Sequence, residues 1–351
     1  MQGTTVNDLN QAYERLGRRR LAVVVTVVML VLGSLFLDVI TGPASLSLTE
    51  ILTALFQPGS VSEANRTIVW TFRLPTALMA VFVGASLGIA GAEMQTILNN
   101  PLASPYTLGV SAAASFGAAL ALVLGSGMLA WTTTVFVPVS AFLCAMLCSL
   151  AIFAIGRIRG ASTETIIVGG VALHFIFSSG VAFLQYMASE DTLAAIVFWI
   201  FGSLQGANWQ KLAIIAVVMA VTTGLLMSRV WQLTALRLGE SHARSLGINT
   251  ERLRLQTLIL VSILTATAVC FTGAIGFIGL LAPHLARMLV GEDQRYFIPL
   301  SALSGAFLVS VAALITKLLI PGTIFPIGIA TAAIGAPCFA ALALWKRRSF
   351  W

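Results

Sequence analysis

The chain has 351 residues, 58% of them hydrophobic and only 9% charged, with a formal net charge of +7. Soluble domains carry roughly 45–50% apolar and about 25% charged residues, so a water-soluble fold of this composition could not cover its own surface. Residues 94–156 and 255–286 contain no Asp, Glu, Lys or Arg at all, and each run exceeds the 18 or so apolar residues that span hydrocarbon. A closed β-barrel is excluded because its strands alternate polar and apolar residues, which leaves helices to satisfy the backbone in lipid.

Hydropathy and charge predict spans near 21–40, 74–98, 104–125, 133–156, 164–187, 210–230, 255–273, 276–290, 298–316 and 326–345. The first follows Arg15, Arg18, Arg19 and Arg20 and resembles a signal peptide, but its apolar core of 17 residues is longer than a typical leader core and no A-x-A site follows. It is expected to remain as a transmembrane helix. With the N-terminus placed in the cytoplasm, sixteen of the 20 Lys and Arg fall inside, and only Arg66, Arg73, Lys211 and Lys317 outside. This asymmetry fixes the expected orientation, both termini cytoplasmic, and accounts for the positive charge without nucleic acid. The fold class is therefore all-α and polytopic. A polar cytoplasmic tail at 1–20 is expected to precede one transmembrane domain over 21–351, since neither Thr41–Arg73 nor Arg229–Arg254 is long enough to hold a soluble domain.

Prolines interrupt several spans, at Pro101 and Pro105, at Pro283 and at Pro326, and broken helices are tolerated where they line a cavity. Small residues recur at Gly84, Ser86, Gly88 and Gly91 and again at Gly273, Gly276 and Gly279, which predicts close helix packing. Gly84–Gly88 also matches the G-x-S-x-G nucleophile pattern, but that motif needs a strand-turn-helix setting and a nearby base, and here it lies inside an apolar helix. Packing is the better account of Ser86. The four cysteines, Cys144, Cys148, Cys270 and Cys338, sit in apolar segments without CxxC spacing, so neither a disulfide framework nor a zinc site is expected.

No G-x-x-x-x-G-K-[ST] sequence occurs, so a chain driven by ATP must borrow its nucleotide site from another subunit. An ion-coupled carrier would place ionisable groups within the membrane, and only Glu93 and His174 qualify. The cytoplasmic stretch Leu236–Ile248 has the makings of a short amphipathic helix, with Glu240 in its first turn and Gly247 suited to a left-handed cap. Such a helix serves either as a connection or as a docking knob for a soluble partner.

Those residues belong to an ordered series. Arg73-Leu74-Pro75, Gly91 with Gln95, Asn100-Pro101-Leu102-Ala103, Leu108-Gly109-Val110-Ser111, Gly239-Glu240 with Ala243 and Leu246-Gly247, Gly273 to Leu280, Ala282-Pro283-His284, Pro326-Ile327-Gly328 and Gly335-Ala336-Pro337 recur in this order. From Arg73 to Arg347 the chain resembles the permease subunits of the iron-chelate and vitamin B12 class of ABC importers, the FecCD family.

The resemblance implies a ten-helix subunit that is not itself an enzyme. It implies pairing with a second permease, identical or related, above two ATP-binding cassette subunits that carry the ATP and magnesium. A periplasmic or lipid-anchored binding protein would deliver the cargo, and the setting would be a bacterial cytoplasmic membrane. By the same resemblance Glu240, Ala243, Arg244, Leu246, Gly247 and Ile248 form the ATPase-coupling helix. Arg73, Lys317 and Arg66 would meet the binding protein, while Asn100, Leu102, Ser162 and Thr163 would form a cytoplasmic gate. Phe183, Tyr186 and Met187 would line the pathway. The cargo expected is a ferric siderophore, with haem or cobalamin as the alternative, and no metal is assigned to this chain. The competing class is an ion-coupled secondary carrier acting alone.

Overall fold

The computed structural model describes residues 6–125, 130–158, 163–319 and 325–345. The helices are α1 (Val6–Ile40), α2 (Leu48–Phe56), α3 (Glu63–Thr67), α4 (Leu74–Ile97), α5 (Val110–Leu124), α6 (Ala130–Ile158), α7 (Thr163–Met187) and α8 (Glu190–Phe201). They continue as α9 (Trp209–Met227), α10 (Val230–Arg237), α11 (Glu240–Ser245), α12 (Thr250–Thr272), α13 (Ile278–Val290), α14 (Gln294–Leu319) and α15 (Ile327–Trp345). Among the described residues there is no strand.

Seven spans are long and apolar enough to cross a membrane: α1, α3 running on into α4, α6, α7, α9, α12 and α14. Three shorter apolar helices, α5, α13 and α15, complete the ten. Each expected span thus has a helix, but α5 begins at Val110 rather than near residue 104. Pro101 and Pro105 keep the intervening chain out of a helix, and Ser104 and Thr107 tie it into a turn through reciprocal hydrogen bonds of 3.0–3.2 Å. At 15 residues α5 rises about 22 Å, less than a hydrocarbon core. Helix α1 already begins at Val6, inside the expected tail. Helix α8, 12 residues, has no counterpart among the expected spans because it is too short to cross.

Helix α4 is the axis of the bundle, buried almost throughout its length. A π-helical turn, Ile68–Arg73, feeds it, and Pro75 explains the widened turn, since it offers no N–H to the carbonyl of Thr71. Along α4 the small residues do what their spacing predicts. A Cβ on Gly84 would lie 2.3 Å from the Gly305 carbonyl oxygen, one on Gly88 2.2 Å from that of Ser301, and one on Gly91 1.9 Å from that of Gly279. Helices α13 and α14 therefore pack backbone to backbone against α4. Ser86 is fully buried in this packing.

At the end of the bundle remote from the arginine-rich loops, the ends of α8 and α12 meet the first turn of α15. Ser203 N–H donates to the Thr272 carbonyl at 2.8 Å and Ile327 N–H to that of Gly202 at 3.1 Å. Gly202 and Gly273 both have positive φ, and a Cβ on Gly328 would strike the Phe201 carbonyl. Only glycine allows chains to meet so closely with such dihedrals.

Candidate functional site

The basic end of the bundle carries α10 and α11, the latter spanning Glu240–Ser245. The helix ends as Gly247 predicts. Gly247 has φ 78°, its N–H donates to the Arg244 carbonyl at 2.9 Å, and Ile248 N–H donates to that of Ala243 at 3.1 Å. This is a Schellman cap. Leu246 is 61% exposed and Leu238, just ahead of the helix, 70% exposed. Ala243, expected on the same coupling helix, does not face outward. It is fully buried within its own chain, packed with the core that includes Leu236 and Leu253, so its small size serves the seating of α11.

Glu240 anchors α11 to α12. Its carboxylate accepts from Arg244 at 2.6 Å, from Arg254 at 2.8 Å and from Thr250 at 3.2 Å. Partial burial pushes its carboxyl up, but the charge and hydrogen bond of Arg254, with Thr250 and Arg244, outweigh that and hold it below the usual carboxylate value.

The last turn of α4 is gripped from four directions. Gln95 accepts from Arg287 of α13 at 2.8 Å, and Thr96 accepts from Gln294 of α14 at 2.9 Å. The Ile97 carbonyl accepts from Arg254 of α12 at 3.0 Å, and Asn99 accepts from Arg237 of α10 at 2.5 Å. Asn99 stands in the left-handed region at φ 44°, and Asn100 N–H reaches back to the Gln95 carbonyl at 3.2 Å, so α4 ends in a second Schellman cap with asparagine in glycine's place. Glu292 joins the cluster, 2.7 Å from Arg237 and 3.2 Å from Arg287.

Two of the expected gate residues follow directly. The Asn100 side chain accepts from Leu102 N–H at 2.9 Å, and Leu102 is exposed at the basic end. Thr163 opens α7 and is half-buried. Ser162 lies outside the described residues.

At the opposite rim the three expected docking cations differ. Arg73 is 6% exposed, and its guanidinium donates to the carbonyls of Val39 at 3.1 Å, Ile40 at 2.7 Å and Ala44 at 2.6 Å. It satisfies the end of α1, so it corrects the picture of a projecting cation. Lys317 is paired with the buried Asp38 at 2.9 Å and donates to the Asp38 carbonyl at 2.8 Å. Arg66, on α3, is exposed.

Helix α7 turns Phe183, Tyr186 and Met187 outward, Tyr186 being 88% exposed. Beside it, between α5, α7, the end of α8, α15 and the loop that leads into α13, lies a crevice of about 590 Å³ lined by Tyr106, Ser111, Ser115, His174, Ser178 and Phe277 among others. The His174 ring is 6.4 Å from that of Tyr106, and its Nδ1 is buried without a hydrogen-bond partner. Ser115 and Ser178 escaped sequence reasoning, and Ser111 entered it only within a motif, although Ser111 and Ser115 stand one turn apart on a single face of an apolar helix. That spacing was the available signal.

A model of the FecCD transport family matches residues 28–345. The cobalamin import system permease protein BtuC of Halobacterium salinarum is 37% identical over 295 residues, 84% of this chain and 77% of its own length. The Fe(3+)-citrate import system permease protein YfmE of Bacillus subtilis is 32% identical over 331 residues, 94% of this chain and 97% of its own. Among solved structures, an inward-facing one provisionally described as a metal-chelate type ABC transporter superposes with a TM-score of 0.81 at 30% identity, covering 92% of this chain and 99% of the other.

Proposed function

This chain belongs to the FecCD transport family, and from that premise we propose that it is one half of the membrane channel of an importer for ferric chelates, driven by separate ATPase subunits docked on Glu240–Ile248. That it is an ABC importer permease, and not itself a catalyst, follows from the family. The docking site and the cargo are our own reading.

The observation that carries the docking site is α11 itself: a short helix capped at both flanks by glycines of positive φ, anchored through Glu240, with Leu238 and Leu246 exposed. An apolar knob on a rigid base fits a cleft on a soluble partner. The sequence supplies no nucleotide-binding loop that would make such a partner unnecessary. For the cargo, the exposed aromatic face of α7 and the crevice at Tyr106 and His174 offer stacking and hydroxyl contacts without a formal charge. Such a lining favours a bulky complex that must also be released. A chelated ferric ion has no vacant position for His174, so that imidazole acts as a hydrogen-bonding group here and not as a ligand. Arg66 is the exposed rim cation left to meet an acidic binding protein, with both termini on the ATPase side.

The test is reconstitution in proteoliposomes with the cognate ATPase and binding protein. ATP-dependent uptake of a ferric siderophore, with haem and cobalamin as competing cargoes, is expected. Uptake of haem or cobalamin in preference would reassign the cargo alone. Gradient-driven uptake by this chain without the ATPase would defeat the whole reading in favour of an ion-coupled carrier.

A further inference from the structure

We infer that Arg237 and Arg254 are positioning residues that pass the movement of α11 to the turn after α4, residues 98–102, and so set the state of the gate. The inference rests on the reading that an ATPase docks on α11 and on the gate that the family resemblance implies at Asn100 and Leu102.

Two of the four side chains that grip the end of α4 belong to the segment carrying α11. Arg237 is the last residue of α10 and stands just before Gly239, while Arg254 lies in α12 and is tied directly to Glu240, the first residue of α11. A displacement of α11 therefore reaches α4 by two routes. One runs from Glu240 through Arg254 to the Ile97 carbonyl, and the other through Arg237 to the Asn99 side chain. The remaining two grips, Arg287 on Gln95 and Gln294 on Thr96, come from α13 and α14. They hold the preceding residues of α4 against the rest of the bundle. The boundary between fixed and driven parts thus falls at the last residue of the helix.

What lies beyond that boundary is suited to switching. Asn99 occupies a left-handed conformation that L residues other than glycine adopt at a cost. Its side chain is held by Arg237, and the following Asn100 shapes Leu102 through a hydrogen bond of its own. Rotation of Asn99 out of the left-handed region would break the cap and swing Leu102. One arginine grip ends on Ile97 at the boundary and the other on Asn99 just beyond it, so the link from α11 to this short stretch is one of direct contact.

A purely structural cap would account for the same contacts, and two substitutions separate the roles. Asn99→Gly keeps the left-handed backbone and the cap but removes the acceptor for Arg237. Asn99→Asp keeps the acceptor. The full complex of permease, ATPase and binding protein would be prepared with Leu102→Cys and probed with a membrane-impermeant maleimide, nucleotide-free and after trapping with ATP and vanadate. Labelling at position 102 would be read by peptide mass spectrometry. In the otherwise unchanged background, trapping should alter the labelling rate about fivefold or more. Asn99→Gly and Arg254→Gln should reduce that change to less than about twofold, with the ATPase still bound and the melting temperature of the complex within a few degrees. Asn99→Asp should retain it. A full response in Asn99→Gly, or a loss in Asn99→Asp equal to that in Asn99→Gly, would overturn the inference. If the parent complex itself shows no ATP response, the docking reading fails instead.

Discussion

Gly91 and Gly279 face each other at the crossing of α4 and α13, so near that a Cβ on Gly91 would lie 1.9 Å from the Gly279 carbonyl oxygen. The obstacle is backbone within a helix and cannot swing aside. Gly91→Ala is therefore expected to cost at least about 3 kcal/mol, the upper range for overpacking. Thermal unfolding of the purified protein in detergent would show it as a lowered midpoint, and an unchanged midpoint would mean that the crossing is looser than described.

Arg73 supplies donors to three carbonyls around the end of α1. Arg73→Ala leaves buried acceptors unsatisfied and should destabilise the protein by about 2 kcal/mol, while Arg73→Lys, with a point charge in place of a fork, should recover only part. Affinity for the binding protein should respond instead to Arg66→Glu, weakening most at low salt. Surface plasmon resonance on folded variants would reverse this assignment if Arg73→Lys weakened docking and Arg66→Glu did not.

Much of this was legible in the chain itself. The ten apolar segments, the close-packed glycines and the cap at Gly247 all follow from local chemistry: hydropathy, absence of a side chain, and tolerance of positive φ. The roles of Arg73 and Lys317 were not legible. Charge counting places both at the outer edge, but only the fold shows that carbonyls 29 to 34 residues before Arg73 curl around it. The fourfold grip on α4 was equally hidden, because its members are drawn from α10, α12, α13 and α14, and nothing in sequence spacing brings Arg254 to Ile97. The burial of Ala243 was hidden for a related reason. A small residue on a surface helix reads the same whether it faces a partner or its own core.

Lys317 and Asp38 form an ion pair in which the carboxylate is wholly buried. Removing one partner strands the other, so Lys317→Ala should cost about 3–5 kcal/mol, whereas Asp38→Asn combined with Lys317→Gln should recover more than half. Equal losses in the single and double variants, measured by denaturant titration in mixed micelles, would show that the charges are uncoupled.

At Gly247 there is open space around the position of a Cβ, but φ is 78°. Gly247→Asn, a residue that tolerates this conformation, should preserve transport per ATP hydrolysed. Gly247→Arg combines backbone strain with bulk on the docking side and should uncouple hydrolysis from uptake while leaving insertion intact. Normal stoichiometry of uptake to hydrolysis in the arginine variant would remove α11 from the interface.

The Glu240 carboxyl, held below its usual value chiefly against burial by Arg254, stabilises the seat of α11 only while ionised. A group whose folded value is lowered contributes above its unfolded value, and that contribution is lost as pH falls through the folded one. Hydrogen-exchange protection of residues 240–248, corrected for intrinsic rates, should be flat from about pH 8 to about pH 5 and fall only below about pH 4. In Glu240→Gln it should be low throughout. A fall beginning near neutrality would point to a histidine instead.

The glycine junction at the end of the bundle remote from the arginine-rich loops has a consequence for how the protein is made. Its three segments, residues 199–203, 272–274 and 327–328, lie far apart in the chain, so the first two are synthesised well before the third. Until α15 arrives, the Gly202 carbonyl lacks the Ile327 donor that it has in the finished fold. The junction beside the crevice is therefore complete only once the last helix is in place. A chain that stops just short of residue 327 would lack that closure, however well its earlier helices packed.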